Sequence, residues 1–220
     1  MSPTADPRPL VDRFAPRPVR EHRLLHAGMV FDLVAETVDL GRAGPVRREF
    51  LRHPGAVAVL ALDDDERVAL VHQYRHPVGY DLWELPAGLL DVDGEPAADA
   101  ARRELAEEAD LRAQRWDVLV DWFTSPGGSD EALRCFLARE LSPVPEADRH
   151  RRQAEELDMA LAWVPLDAAR DAVLSGRVHN PSSVVGVLAA CASRDTGWAT
   201  LRPADAPWPQ HPAHRDLPSR

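Results

Sequence analysis

The sequence predicts an α+β fold of mixed layers. Apolar and β-branched segments come in bunches, and few stretches between them read as helix. A doubly wound parallel sheet would need regular strand–helix alternation, which is missing. The 220 residues correspond to one domain with added ends, taking about 150 residues as the usual domain size.

Residues 1–20 are Pro-rich, charged and aperiodic, and are expected to form a mobile tail, as are residues 203–220. Residues 21–54 form an expected β arm. Its pattern alternates from about 22 to 52, with MVFDLVAETVDL and VRREFLRH as an antiparallel hairpin around a turn at Gly41–Pro45. GAVAVLALD (55–63) and RVALVHQYR (67–75) are two further strands, joined by the acidic turn Asp63–Glu66, and short apolar segments in DLWELPAGLL follow. The first strong helix runs from about Pro96, suited to a first helical position, to Ala109, with Asp110 at its end. WDVLVDWFTS (116–125) and ALRCFLARE (132–140) read as strands flanking Pro126-Gly127-Gly128, and 142–156 as a polar loop. MALAWVPL is a late strand. A helix from about Asp167 to Leu174 then stops before Gly176, and Asn180-Pro181 starts a last helix, SSVVGVLAACASR.

The charge balance excludes several classes of function. With 26 basic and 36 acidic residues the net charge is −10. All the basic residues are arginines. Such a chain does not neutralise a phosphate backbone or dock on an anionic bilayer, so neither nucleic acid nor membrane is an expected partner. No apolar run is long enough to span a membrane, and no secretory h-region is visible. Cys135 and Cys191 lie in apolar runs without metal-ligand spacing, as buried free thiols would in a reducing compartment. The expected location is the cytoplasm.

The chemistry is concentrated in GLLDVDGEPAADAARRELAEEADL, residues 88–111. Glu104, Glu107 and Glu108 are three and four positions apart, so they crowd one flank of the helix. Mutual repulsion would raise their pKa values, and a hard divalent cation such as magnesium or manganese would relieve it. Arg103 is placed to offset one charge by orienting a glutamate. An ordinary solvated acidic face is the blander reading of the same residues.

This stretch resembles the Nudix box, Gly-x5-Glu-x7-Arg-Glu-U-x-Glu-Glu-x-Gly-U, with U a bulky aliphatic residue. Gly88, Glu95, Arg103, Glu104, Leu105, Glu107, Glu108 and Leu111 fill matching positions. Six residues rather than five separate Gly88 from Glu95, and Asp110 stands where the box has its second glycine. Asp tolerates a left-handed backbone better than most residues. The resemblance implies a Nudix fold, an α/β/α sandwich around a mixed β-sheet with the N-terminal antiparallel arm added, and a hydrolase domain over 55–202. It also implies hydrolysis of a nucleoside diphosphate linked to another moiety. Glu104 and Glu108 would ligate metal, Glu107 would ligate or support, and the Ala87 carbonyl would complete a site for two or three Mg2+ or Mn2+ ions.

HQYRHP and WELPAGLL before the box, and Pro126 with GGSDE after it, are similar to the ADP-ribose pyrophosphatases of this family. By that resemblance Arg75 would contact substrate phosphates, and Glu131 would hold substrate or help position metal. A glutamate of RRQAEELDMALAW would be the general base, Glu156 first and Glu155 second. The implied reaction yields AMP and ribose 5-phosphate, in a homodimer joined through the arm. Hydrolysis of another nucleotide sugar such as GDP-mannose, and a noncatalytic ADP-ribose-binding sensor, are the rival readings.

Overall fold

The computed structural model describes residues 9–151 and 159–214. Its strands are β1 (Val19–Ala27), β2 (Asp32–Asp39), β3 (Pro45–Arg52), β4 (Ala56–Ala61), β5 (Arg67–Arg75), β6 (Tyr80–Glu84), β7 (Ala87–Leu89), β8 (Leu111–Phe123), β9 (Ala132–Pro143), β10 (Ala160–Pro165) and β11 (Arg202–Pro203). The helices are α1 (Ala97–Ala109), α2 (Leu166–Leu174) and α3 (Pro181–Asp195).

The central sheet has the order β11-β8-β9-β4-β7, and a second sheet the order β10-β5-β6. β4 and β9 pair in parallel while the other pairs are antiparallel, so the sheet is mixed. Every residue of β4 is buried, which explains its unbroken apolar run. Successive side chains of a strand point to opposite faces. Ala56, Ala58 and Leu60 accordingly join the cluster that holds α2 and α3 residues, through Leu166, Val187 and Ala190. Val57, Val59 and Ala61 join the other cluster, with Ala101 and Leu105 of α1. Helices thus cover both faces, which makes the α/β/α sandwich.

The arm has one strand more than the expected hairpin. β1 pairs with β2 and β2 with β3, all antiparallel, and Val19 and Arg20 belong to β1 rather than to a tail. The ribbon of β8 and β9 starts five residues earlier than expected, at Leu111, and runs to Pro143. The full pairing from Leu111↔Pro143 to Phe123↔Ala132 carries polar residues that read as loop on their own. Pro96 is the residue before helix α1, with extended ψ of 140°, and not its first member.

The C-terminal segment also departs from expectation. Residues 203–214 pack on the domain instead of trailing from it. Arg134 is buried, pairs with both oxygens of Asp121 at 2.8 and 3.0 Å, and donates to the carbonyls of Ala206 and Pro207. Its guanidinium lies 4.8 Å from the buried Trp208 ring. His211 donates from Nε2 to the Pro54 carbonyl at 2.8 Å. Its ring occupies the space over Gly55, at a φ of +92°, where a Cβ would meet Nε2 at 2.6 Å.

Candidate active site

Helix α1 buries Ala101, Leu105 and Ala109, a stripe of four-residue spacing. That orientation leaves Glu104, Glu107 and Glu108 on a neighbouring flank. The helix ends where Asp110 adopts a left-handed backbone, φ 54° and ψ 35°, and its N–H returns to the Leu105 carbonyl. Asp therefore fills the position of the box glycine in the conformation that glycine would supply.

β4 holds β7 in register, Val57 opposite Gly88 and Ala58 opposite Ala87. β7 lies under the helix flank. The Ala87 N–H donates to Glu108 Oε2 at 2.9 Å. A Cβ on Gly88 would fall 2.0 to 2.5 Å from the Glu104 side chain, so only glycine admits that carboxylate. Arg103 braces the flank, donating through Nε and Nη2 to both oxygens of Glu95 at 3.2 and 3.0 Å. Its Nη1 reaches Glu104 at 2.5 Å and Glu107 at 3.5 Å. The longer loop before Glu95 thus still delivers that residue to Arg103.

The electrostatics correct one expectation. Burial, more than repulsion between neighbours, lifts Glu104 above the usual carboxylate range. Burial pushes Glu108 up to about 8, with the Ala87 N–H opposing and the charge of Glu104 adding. The hydrogen bonds from Arg103 hold Glu95 below its ordinary value.

Arg75 lies beside this cluster but is engaged with a residue the sequence reading did not single out. Its Nε and Nη2 donate to Oε1 and Oε2 of Glu84 at 2.9 and 2.6 Å. Glu84 is buried, and both Glu84 and Arg75 act electrostatically on Glu108. An acid inside the apolar run DLWELPAGLL was the available signal, because a buried carboxylate needs a partner. Glu131 belongs to a different cluster. It accepts from Thr124 Oγ1 at 2.5 Å and faces His53 Nδ1 at 3.7 Å. The adjacent Ser129 and Asp130 line a cleft of about 550 Å3 between the 126–130 loop and the arm residues Val38, Arg48 and Phe50. Glu155 and Glu156 lie outside the described residues.

Among the described residues, no three acidic or histidine groups converge closely enough to hold a metal ion as they stand. The donors present nevertheless suit a hard divalent cation. Two half-buried carboxylates sit against a backbone that lacks a Cβ at Gly88, and the one pushed to about 8 gains from any cation that replaces its proton.

A mixed sheet between helical layers, with an acidic helix flank seated on the strand before it, defines a Nudix hydrolase. The chain belongs to the Nudix family, whose NUDIX domain matches residues 51–182. It is 46% identical over 188 residues to an ADP-ribose pyrophosphatase of Mycobacterium tuberculosis, covering 86% of this chain and 89% of the relative. An ADP-ribose pyrophosphatase of Bacillus subtilis is 36% identical over 163 residues, covering 74% and 86%. A solved ADP compounds hydrolase shares the fold, with a TM-score of 0.66 over 86% of this chain and 100% of that one, at 18% identity. Nudix ADP-ribose pyrophosphatases depend on divalent metal.

Proposed function

We propose that this chain hydrolyses the diphosphate of ADP-ribose to AMP and ribose 5-phosphate, with magnesium or manganese as cofactor. The observation that carries this reading is the seating of Glu104 and Glu108 on the Ala87–Gly88 backbone. It joins the likeness to the Mycobacterium tuberculosis relative, which is named for this substrate.

Glu104, Glu108 and the Ala87 carbonyl would hold two or three ions, with Glu107 ligating or supporting. Bound there, the metal would neutralise the diphosphate and lower the pKa of an attacking water. Arg103 holds Glu104 in place and keeps Glu95 at the helix start. Arg75 presents a fixed cation to the substrate phosphates, and Glu131, next in sequence to the cleft residue Asp130, holds substrate or helps position metal. Glu156, or Glu155 beside it, accepts the proton of the attacking water.

The arm supports a homodimer. Leu24, Met29 and Phe31 are exposed there at 52%, 104% and 45%, more apolar surface than a solvated three-stranded arm needs. The cytoplasm suits the two buried free thiols, Cys135 and Cys191. No helix among the described residues is long and apolar enough to cross a membrane.

The test is AMP release from ADP-ribose with and without Mg2+ or Mn2+, beside GDP-mannose and NADH, with sedimentation of the same preparation for the dimer. Glu108→Gln and Glu156→Gln are each expected to lose about 100-fold or more in kcat. Faster turnover of GDP-mannose would reassign the substrate, and ADP-ribose binding without turnover would make the chain a sensor.

A further inference from the structure

Glu84 has no part in the roles assigned above, yet it is the buried acid closest in function to the phosphate-binding cation. It is 2% exposed. Val71 lies directly opposite Glu84 in the β5–β6 pair, and opposite residues share a sheet face. Val71 and Arg75 are four residues apart on β5, so they share that face too. The Arg75 side chain therefore lies back along the sheet to reach Glu84, and closes a two-bond fork on it at 2.9 and 2.6 Å.

The neighbours of Glu84 in sequence are fixed against α3. Ser183 Oγ of α3 donates to the Trp83 carbonyl at 2.9 Å. Leu85 fills the space over Gly186, where a Cβ would meet its Cδ1 at 2.6 Å. The backbone on both sides of Glu84 is thus pinned to α3. The arginine is different, since 41% of its side chain is open to solvent against 3% for Glu84. One edge of the guanidinium rests on a rigid, buried carboxylate, and part of the side chain remains within reach of a ligand.

Stability alone is a poor reason for this pair, because a buried ion pair contributes little net stability relative to apolar side chains of the same volume. Orientation is a better one. Arginine has a long, rotamer-rich side chain, and ordering it before substrate arrives removes an entropic cost from binding. We propose that Glu84 is a positioning residue, which locks the Arg75 guanidinium in the attitude that meets the substrate diphosphate beside the helix carboxylates. The inference rests on the reading of Arg75 as a phosphate contact. The opposed effects of Arg75 and Glu84 on Glu108 show that the locked fork lies within electrostatic range of the metal-binding flank.

A double-mutant cycle on the full chain tests this, with Arg75→Ala, Glu84→Gln and the pair, using ADP-ribose and Mg2+. Glu84→Gln is expected to raise KM about tenfold with a smaller change in kcat, the sign of lost binding shared by ground and transition states. In the Arg75→Ala background it should add less than about twofold, because the two residues act as one unit. Free guanidinium should restore Arg75→Ala about tenfold, and should fail to restore the double variant, which lacks the carboxylate that seats it. Additive losses, or equal rescue of both variants, overturn the inference. So does a Mg2+ half-saturation shifted about tenfold or more by Glu84→Gln, which would make Glu84 a metal ligand. Arg75→Ala with no loss overturns the phosphate role itself and takes the inference with it, whereas loss there with additivity overturns the inference alone. Should Glu84→Gln fail to fold, Glu84→Asp carries the same cycle, since the shorter acid withdraws the fork without removing its charge.

Discussion

Gly88 works through what it lacks. Its backbone and the Glu104 carboxylate occupy space that a methyl group would claim, at contacts of 2.0 to 2.5 Å. Gly88→Ala must therefore push Glu104 aside. We expect it to lower kcat by about 100-fold and to weaken Mg2+ binding measured by calorimetry, since ligand placement sets metal affinity. Glu108 gives a prediction in the metal-free protein. Its carboxyl is pushed up to about 8 in the fold from an ordinary 4.5. The folded state keeps that proton where the unfolded state has lost it, so stability should fall as pH rises from about 4.5 to about 8. Differential scanning in EDTA should show a declining melting temperature over that range. Glu108→Gln should flatten the decline, and saturating Mg2+ should abolish it. Acids held below their usual values, Glu95, Asp39 and Asp167, act in the other direction and in a lower range, their contribution being lost as pH falls through the acid region.

Element boundaries follow from local chemistry where local chemistry is strong. The Asn180 side chain accepts from the N–H groups of Ser182 and Ser183 at 2.9 and 3.1 Å, with Pro181 next in the helix. Asn180→Ala should cost about 1 kcal/mol of unfolding free energy by urea titration. Because α3 carries Ser183 and Gly186 onto the strand that holds Glu84, the same variant should also raise KM slightly. That helix was readable from its cap, as α1 was from its alanines and its spaced acids. Asp110 was readable too, since few non-glycine residues accept its backbone conformation. Elements held by distant partners were not. β1 has few apolar residues and is defined by its pairing with β2. The start of β8 and the end of β9 are polar and exist as strand through each other. Glu84 was not singled out because its partner Arg75 is nine residues away across a hairpin, and Ser183 of α3, which holds the neighbouring Trp83 carbonyl, is about a hundred residues on.

At the scale of the whole molecule, the two ends of the domain meet. The C-terminal segment read as a tail because it is rich in proline and has no period. What orders it is one buried arginine, Arg134, which joins Asp121 of β8 to the consecutive residues Ala206, Pro207 and Trp208 much later in the chain. His211 then reaches Pro54, at the junction between the arm and the central sheet. Such non-local packing has no signature in a window of sequence. Its first strand has a further effect. β8 is 13 residues long and outermost but for β11, which covers it through only two pairs, Arg202↔Val118 and Pro203↔Asp117. Pro203 has no N–H to offer, so the ladder stops there. A chain ending at Leu201 would bare the middle of that edge, Asp117 and Val118, to strands from other copies, and static light scattering at rising protein concentration should then show more self-association than the full chain. The proline-rich end of this enzyme is, on that account, a guard against aggregation.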